Sequence, residues 1–251
     1  MSPLGLRFPP GEDARGPDVA GEPEFLKGWF EIQDEGSQLV APSPAPQPGM
    51  QVMDLCAGGG GKTLALAAAM DNMGQIYATD ADKRRLAPSR PADAAPASRN
   101  VACARRRRGD AARRSRRQDR SRAGRRALHR HRHLAAQSRR QVAAAARSLG
   151  RAAPRAGLHA RPARRSCVKT GGGIVYVTCS VLPRENDERV KAFLAANAGF
   201  ASVDPGEVLA LAPDTLSERD DLVSPLGLGI QLTPRRTGTD GFYLAIIERV
   251  R

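Results

Sequence analysis

The feature that most constrains the fold is a β-rich run that ends in a cysteine. Residues 172–180 read GGIVYVTCS, so β-branched and aromatic residues directly precede Cys179. A short apolar run of this kind, bounded by glycines, predicts a buried strand of a parallel sheet. Enzymes with such sheets bind their ligands at the carboxyl ends of the strands, where Cys179 would lie. The competing interpretation is a cysteine that only fills the core.

A second predicted strand, earlier in the chain, breaks into a glycine-rich turn. Residues 51–63 (QVMDLCAGGGGKT) predict a strand over Gln51–Leu55, four glycines and a helix from Lys62 to Met70. A phosphate-binding P-loop needs glycine where this chain has Cys56, and the dinucleotide pattern GxGxxG is not met. The next strand ends at Asp80, which can accept the ribose hydroxyls of NAD or S-adenosylmethionine. The pattern favours a cofactor site over a purely structural turn.

The charge of the chain is concentrated in one segment. With 251 residues, 41% of them hydrophobic, the chain can form one main domain, and its net charge of +14 is typical of a nucleic-acid-binding protein. Residues 105–165 contain 22 arginines, no lysine and two acids, a net charge of +20, whereas the rest of the chain carries −6. The wider segment 88–167 is rich in Arg, Ala and Pro and has no apolar periodicity. We therefore predict a poorly ordered or loosely helical segment that contributes no strand to the sheet.

The sequence indicates a cytoplasmic protein without a membrane helix or a metal site. It contains no run of 18 apolar residues, and its first residues lack the pattern of a secretory signal. The cysteines have neither CxxC spacing nor zinc-type pairing with histidine, so we expect no metal and no disulfide. The four cysteines are Cys56, Cys103, Cys167 and Cys179. We expect the protein to act as a monomer.

Several blocks resemble, in the same order, those of the RsmB/NOP (Sun-type) RNA 5-methylcytosine methyltransferases. The resemblance covers Gly28 to about Leu86 and Val168 to Arg251. It implies a flexible leader over residues 1–27 and a Rossmann-like class I methyltransferase domain over 28–251, with a doubly wound, mostly parallel sheet and a C-terminal antiparallel hairpin. It also implies that an N-terminal RNA-binding region common in the family is absent or shortened. The blocks are QDEGSQL, DLCAGGGGKT, ATDAD, GDA, TGGGIVYVTCSV with LPRENDERV, and RRTGTDGFY.

The resemblance also assigns roles to individual residues. It implies that S-adenosylmethionine is the cofactor and RNA, here ribosomal RNA, the partner that is methylated on carbon 5 of a cytosine. Asp80 would contact the ribose, Asp110 would lie near the adenine, and Cys179 would be the nucleophile that adds to carbon 6 of an unstacked cytosine. The residues around the methionine moiety would be Cys56, Ala57, Gly58, Gly59, Gly60, Gly61 and Lys62.

One block of the family is missing, and the genetic code offers an explanation. The family has a strand ending in Asp-Ala-Pro-Cys, whose cysteine assists product release and whose aspartate contacts cofactor and base. Gln118–His129 can be encoded by codons that, read from the second base, give KIDLVLVDAPC, and Arg130–Ala143 then gives TGTGTWRRNPDAKW. Our hypothesis is that Ala112 to about Cys167 is translated out of frame and that the frame is restored near Val168.

The missing block leaves more than one function open. As written, the chain would be an RNA cytosine methyltransferase with impaired activity. The alternative is a non-catalytic basic protein that binds RNA phosphates through its arginines, although these lack interleaved aromatic residues. A P-loop NTPase is a third and weaker alternative because of Cys56.

Overall fold

The computed structural model of the protein describes residues 18–41, 45–80, 101–103, 142–147, 168–212 and 214–251, together with residues 2, 5, 6 and 43. The strands are β1 Gln51–Asp54, β2 Gln75–Ala78, β3 Val101–Cys103, β4 Val142–Arg147, β5 Gly173–Thr178, β6 Phe200–Ser202, β7 Ile230–Leu232 and β8 Phe242–Arg249. The helices are α1 Pro23–Leu26, α2 Glu35–Val40, α3 Gly61–Ala69, α4 Asp187–Ala195, α5 Pro205–Ala210, α6 Asp214–Ser217 and α7 Pro234–Thr237. Within these ranges, no helix has the length and apolar character needed to cross a bilayer.

The described strands form one mixed sheet in the order β3-β2-β1-β4-β5-β8-β6, with β7 also paired to β8. The five strands from β3 to β5 are parallel to their neighbours, whereas β8 is antiparallel to β5, β6 and β7. The chain builds outward from β1 in one direction and from β4 in the other. In sheets of this kind ligands bind at the carboxyl ends of the two strands where the direction switches, which here are β1 and β4. This architecture confirms the predicted doubly wound sheet with its antiparallel hairpin, in which Ile230 pairs with Leu244.

The structure differs from the sequence-based expectation inside the arginine-rich segment. Both β3 and β4 lie between residues 88 and 167, where we predicted no strand. Strand β4 fills the position between β1 and β5, since Ala144 pairs with Asp54 on one side and with Val175 on the other. Pairing satisfies main-chain N–H and C=O groups and does not require an alternating apolar pattern, so the partner strands override the local composition. Asp110 and the recoded stretch 118–129 lie outside the described residues.

Strand β5 carries the core on both of its faces. Val175 and Val177 pack with residues of α2, α5 and β8 on one face. Ile174 and Tyr176 pack with residues of α4 and β8 on the other face. All six residues of β5 are buried, which explains why the sequence shows a continuous apolar run instead of alternation. The position of Cys179, directly after this strand, is therefore anchored to the centre of the domain.

Candidate active site at the carboxyl ends of the parallel strands

The glycine-rich turn connects β1 to α3 and leaves open space above it. Gly58 and Gly60 have φ angles of 55° and 95°, in the left-handed region that favours glycine. A Cβ atom added at Gly58, Gly59 or Gly60 would meet no other atom within 4 Å. A Cβ atom on Gly61, in contrast, would collide with the side chain of Gln33. The turn thus offers exposed main chain and free volume, which is what a ligand lying against it requires.

Asp80 lies beside this turn, as the sequence predicted. It follows β2, is 8% exposed, and its Oδ2 atom accepts a hydrogen bond of 2.9 Å from the Gly58 N–H. The Ala57 N–H donates to the Thr79 carbonyl at 3.0 Å, which ties the turn to the end of β2 a second time. The structure therefore brings the predicted residues of positions 56–62 together with Asp80.

A buried carboxyl group accepts hydrogen bonds from both ends of the glycine turn. It was not among the site residues predicted from the sequence. Asp54, the last residue of β1, is fully buried. Its Oδ1 atom accepts from the Cys56 N–H at 3.2 Å, and its Oδ2 atom accepts from the Thr63 hydroxyl at 2.7 Å. Burial raises the pKa of Asp54 above its ordinary value, and the bonds from Thr63 and Cys56 only partly oppose this. An acid at the end of an apolar strand was the sequence signal that could have identified it.

The stability of the protein should depend on pH through this carboxyl group. Because the pKa of Asp54 is raised above 3.8, the folded protein binds a proton more readily than the unfolded chain does. The contribution of this difference to the free energy of unfolding is fully present below pH 3.8 and is lost as pH rises through the raised pKa of Asp54. We expect wild type to lose stability relative to Asp54→Asn over that window in urea unfolding experiments. A difference that stays constant with pH would contradict this assignment.

Lys62 extends from α3 into the centre of the site. Its Nζ atom donates to the Ser37 hydroxyl at 3.1 Å and lies 5.3 Å from the centre of the Phe242 ring. Burial lowers the pKa of Lys62, while electrostatic interactions with Asp54, Cys179 and Asp34 oppose that shift. The ammonium group is therefore within electrostatic range of the cysteine that the sequence singled out. The sequence analysis assigned Lys62 to the cofactor alone and did not predict this proximity.

Cys179 occupies the end of β5, on the same edge of the sheet as the glycine turn. Thr178 pairs with Tyr243 of β8, so Cys179 follows at the level of Phe242. The Cys179 side chain is partly exposed and packs against the core on the α2 side of the sheet. Its neighbours Thr178 and Ser180 are buried, and the Thr178 hydroxyl donates to Asn186 at 2.6 Å. The predicted position of Cys179, at the carboxyl end of a buried strand, is confirmed.

The first and last sequence blocks meet beside Lys62. Asp34 caps α2 by accepting from the Gly36 N–H at 2.8 Å, and its second oxygen accepts from the Asp240 N–H at 3.2 Å. A Cβ atom on Gly36 would lie 2.7 Å from the Phe242 ring, so only glycine permits this approach. The blocks QDEGSQL and RRTGTDGFY, which are remote in sequence, therefore build one wall of the site together.

Known proteins share both the sequence and the fold. The family model for the 16S rRNA methyltransferase RsmB/F matches residues 43–91 and 126–248. Ribosomal RNA small subunit methyltransferase B of Pseudomonas putida is 30% identical over 245 residues, covering 93% of this chain and 50% of the relative. The chain thus spans about half the length of the curated relatives it matches.

Two further matches concern a shorter segment and the fold. The 26S rRNA (cytosine-C(5))-methyltransferase nsun-1 of Caenorhabditis elegans is 45% identical over 67 residues, which are 27% of this chain and 10% of the relative. The crystal structure of NSun6 from Pyrococcus horikoshii with SFG superposes with a TM-score of 0.61 at 20% identity, covering 94% of this chain and 57% of that one. This likeness confirms the Rossmann-like fold. Since the family model matches well over half of its residues, the chain belongs to the RsmB/F family of 16S rRNA methyltransferases.

Proposed function

We propose that this chain transfers a methyl group from S-adenosylmethionine to carbon 5 of a cytosine in ribosomal RNA. The observation that carries the proposal is the meeting of Cys179, Lys62 and the glycine turn at one edge of the sheet. Family membership supports ribosomal RNA as the substrate class. The name of the nematode relative, a cytosine-C(5)-methyltransferase, supports the position on the base.

The glycine turn and Asp80 fit the proposed cofactor. The open space above Gly58, Gly59 and Gly60 accommodates the methionine end, and the adjacent Asp80 can direct its carboxylate toward ribose hydroxyls. When bound, S-adenosylmethionine supplies an electrophilic methyl group on a sulfonium centre. The role of Asp110 near the adenine stays a prediction from the resemblance.

Cys179 supplies the nucleophile in the proposed reaction. Its thiolate forms a bond to carbon 6 of the cytosine, which makes carbon 5 electron-rich enough to accept the methyl group. A base then removes the proton from carbon 5, and the bond between sulfur and carbon 6 breaks to return the thiolate. The Lys62 ammonium, within electrostatic range of Cys179, is placed to stabilise the negative charge of the attacking sulfur. The resemblance assigns help in product release to the cysteine of the missing Asp-Ala-Pro-Cys block.

The proposal is tested by a substrate labelled at the reacting atom. Ribosomal RNA carrying tritium on carbon 5 of its cytosines should release tritium into water only when S-adenosylmethionine is present.

We expect Asp80→Asn to weaken cofactor binding, measured by calorimetry, by about tenfold, since one charge-assisted hydrogen bond is lost. Asp204→Asn is a matched control because Asp204 caps α5, away from the glycine turn. In the tritium experiment, methyl incorporation into RNA without tritium release would overturn the assignment to carbon 5.

A further inference from the structure

The turn that carries Cys179 is held by a buried asparagine. Asn186 is 2% exposed, and its side-chain amide contacts the residues on both sides of the cysteine. Its Oδ1 atom accepts from the Thr178 hydroxyl at 2.6 Å, and its Nδ2 atom donates to the Ser180 carbonyl at 2.8 Å. One side chain therefore bonds to the Thr178 side chain before Cys179 and to the Ser180 main chain after it.

A second buried amide completes the arrangement. Gln231 of β7 is 6% exposed, and its Oε1 atom accepts from Asn186 Nδ2 at 2.8 Å. Its Nε2 atom lies within hydrogen-bond distance of the Ser180 carbonyl at 3.2 Å and of the Phe242 carbonyl at 2.8 Å. Gln231 thus connects the turn of Cys179 to the start of β8, where the Phe242 ring lies beneath the Lys62 ammonium.

The hydrogen bonds of the Asn186 side chain differ from those that an asparagine at its helix position usually makes. Asn186 is the N-cap residue of α4, where asparagine usually accepts a hydrogen bond from an N–H of the first helical turn. Its side chain makes no such bond, and its ψ angle is −108°. At α2, α5 and α7 the N-cap residues Asp34, Asp204 and Thr233 do cap their helices. At α4 the Asn186 side chain does not accept from the first helical turn, and its amide bonds to Thr178 and Ser180 instead.

The turn of Cys179 borders an open cleft. The cleft has a volume of about 490 Å³, and Asn186, Gln231 and Val181 form part of its wall. Val181, two residues after Cys179, is 50% exposed. The cleft leaves free volume on this side of the turn, where the hydrogen bonds of the two amides hold Thr178 and Ser180.

We propose that Asn186 and Gln231 are positioning residues that hold Cys179 in reach of the substrate base and of Lys62. The inference rests on the proposed function, in which Cys179 is the nucleophile. Both side chains act through the residues on either side of the cysteine: Asn186 bonds to the Thr178 hydroxyl and the Ser180 carbonyl, and Gln231 bonds to the Ser180 carbonyl.

The test measures the reactivity of the Cys179 thiol itself, which does not require methyl transfer. Iodoacetamide labelling at one fixed pH, followed by peptide mass spectrometry, gives the ratio of the Cys179 rate to that of Cys56 in the same molecule. We expect Asn186→Ala and Gln231→Ala each to lower this ratio by about fivefold or more, because the released cysteine leaves the reach of the Lys62 ammonium, which stabilises the charge of the attacking sulfur. The double variant should add little to either single change, since the two amides act as one unit. The milder Thr178→Val, which removes only the hydroxyl donor, should shift the ratio in the same direction.

Asn197→Ala is the matched control. Asn197 is a buried asparagine that follows α4, and it donates to the Phe193 carbonyl at 2.6 Å, remote from the turn of Cys179. It should lower stability without changing the ratio. An unchanged ratio in folded Asn186→Ala and Gln231→Ala, or an equal change in Asn197→Ala, would overturn the proposal. If Asn186→Ala does not fold, the labelling ratios of Gln231→Ala and Thr178→Val test the proposal.

A kinetic readout separates this inference from the proposed function. In a protein that releases tritium from cytosine, Asn186→Ala should lower kcat while the KM for S-adenosylmethionine stays within about twofold of wild type. If the thiol ratio changes and no tritium is released by any variant, the positioning role stands and the proposed reaction fails. If tritium is released and neither the ratio nor kcat changes, the positioning role fails alone.

Discussion

Cys179→Ser should abolish the covalent bond between this protein and RNA that carries 5-fluorocytosine. Fluorine on carbon 5 cannot leave as a cation, so the adduct formed after methyl transfer persists and migrates as one band in a denaturing gel. A serine hydroxyl is a far weaker nucleophile than a thiolate, so we expect methyl transfer to unlabelled RNA to fall on the order of 10³-fold or more. This is the largest effect of any single substitution that the structure suggests.

Cys56→Ser provides the comparison for this experiment. Cys56 belongs to the glycine turn, where its main-chain N–H, and not its sulfur, is bonded to Asp54. Serine preserves that N–H, so the variant should still form the adduct. An adduct that persists in Cys179→Ser and disappears in Cys56→Ser would transfer the role of nucleophile to Cys56. The assay should be run on the chain as written and on a chain with the reading frame restored.

Restoring the reading frame over the codons for Ala112 to about Cys167 should raise methyl transfer by about 10²-fold or more, the range of a lost acid–base group. The restored stretch KIDLVLVDAPC has the apolar character of a buried parallel strand, which the arginine-rich sequence lacks. We expect it to replace Val142–Arg147 between β1 and β5. Its Asp-Ala-Pro-Cys end would then lie between the glycine turn and Cys179.

Gene sequencing across the codons for Ala87 to Lys169, with peptide mass mapping of the expressed protein, is the measurement that checks this hypothesis. Two compensating single-base changes, one near the codon for Ala112 and one near the codon for Val168, that yield the Asp-Ala-Pro-Cys block and are followed by the rise in tritium release would support it. Peptides that match the arginine-rich sequence, in a protein as active as the restored chain, would contradict it. In that case the chain would function without the second block of the family.

Predictions from the sequence succeeded where one segment carries its own pattern. The strand predicted over Gln51–Leu55 is found as β1, and the apolar run that precedes Cys179 is found as β5, because each run is bounded by glycine or by a polar residue. The glycine turn after β1, the position of Asp80 after β2 and the antiparallel hairpin of β7 and β8 follow from similarly local signals.

Predictions failed or were silent where the partners are remote in sequence. Strand β4 was not predicted, because main-chain pairing with β1 and β5 determines it and its own composition does not. Asp54 is a different case, since its partners Cys56 and Thr63 lie close to it in the chain and an acid at the end of an apolar strand was a local signal for it.

The sequence by itself determined the fold class, the family and the identity of Cys179 as the candidate nucleophile, since each is carried by residues close together in the chain. Only the tertiary structure decided which side chains surround that cysteine. Lys62 arrives from α3, Asn186 from the start of α4 and Gln231 from β7. Hydrogen bonds and charges act over a few ångströms in space, regardless of separation along the chain, so no local pattern could have revealed this arrangement.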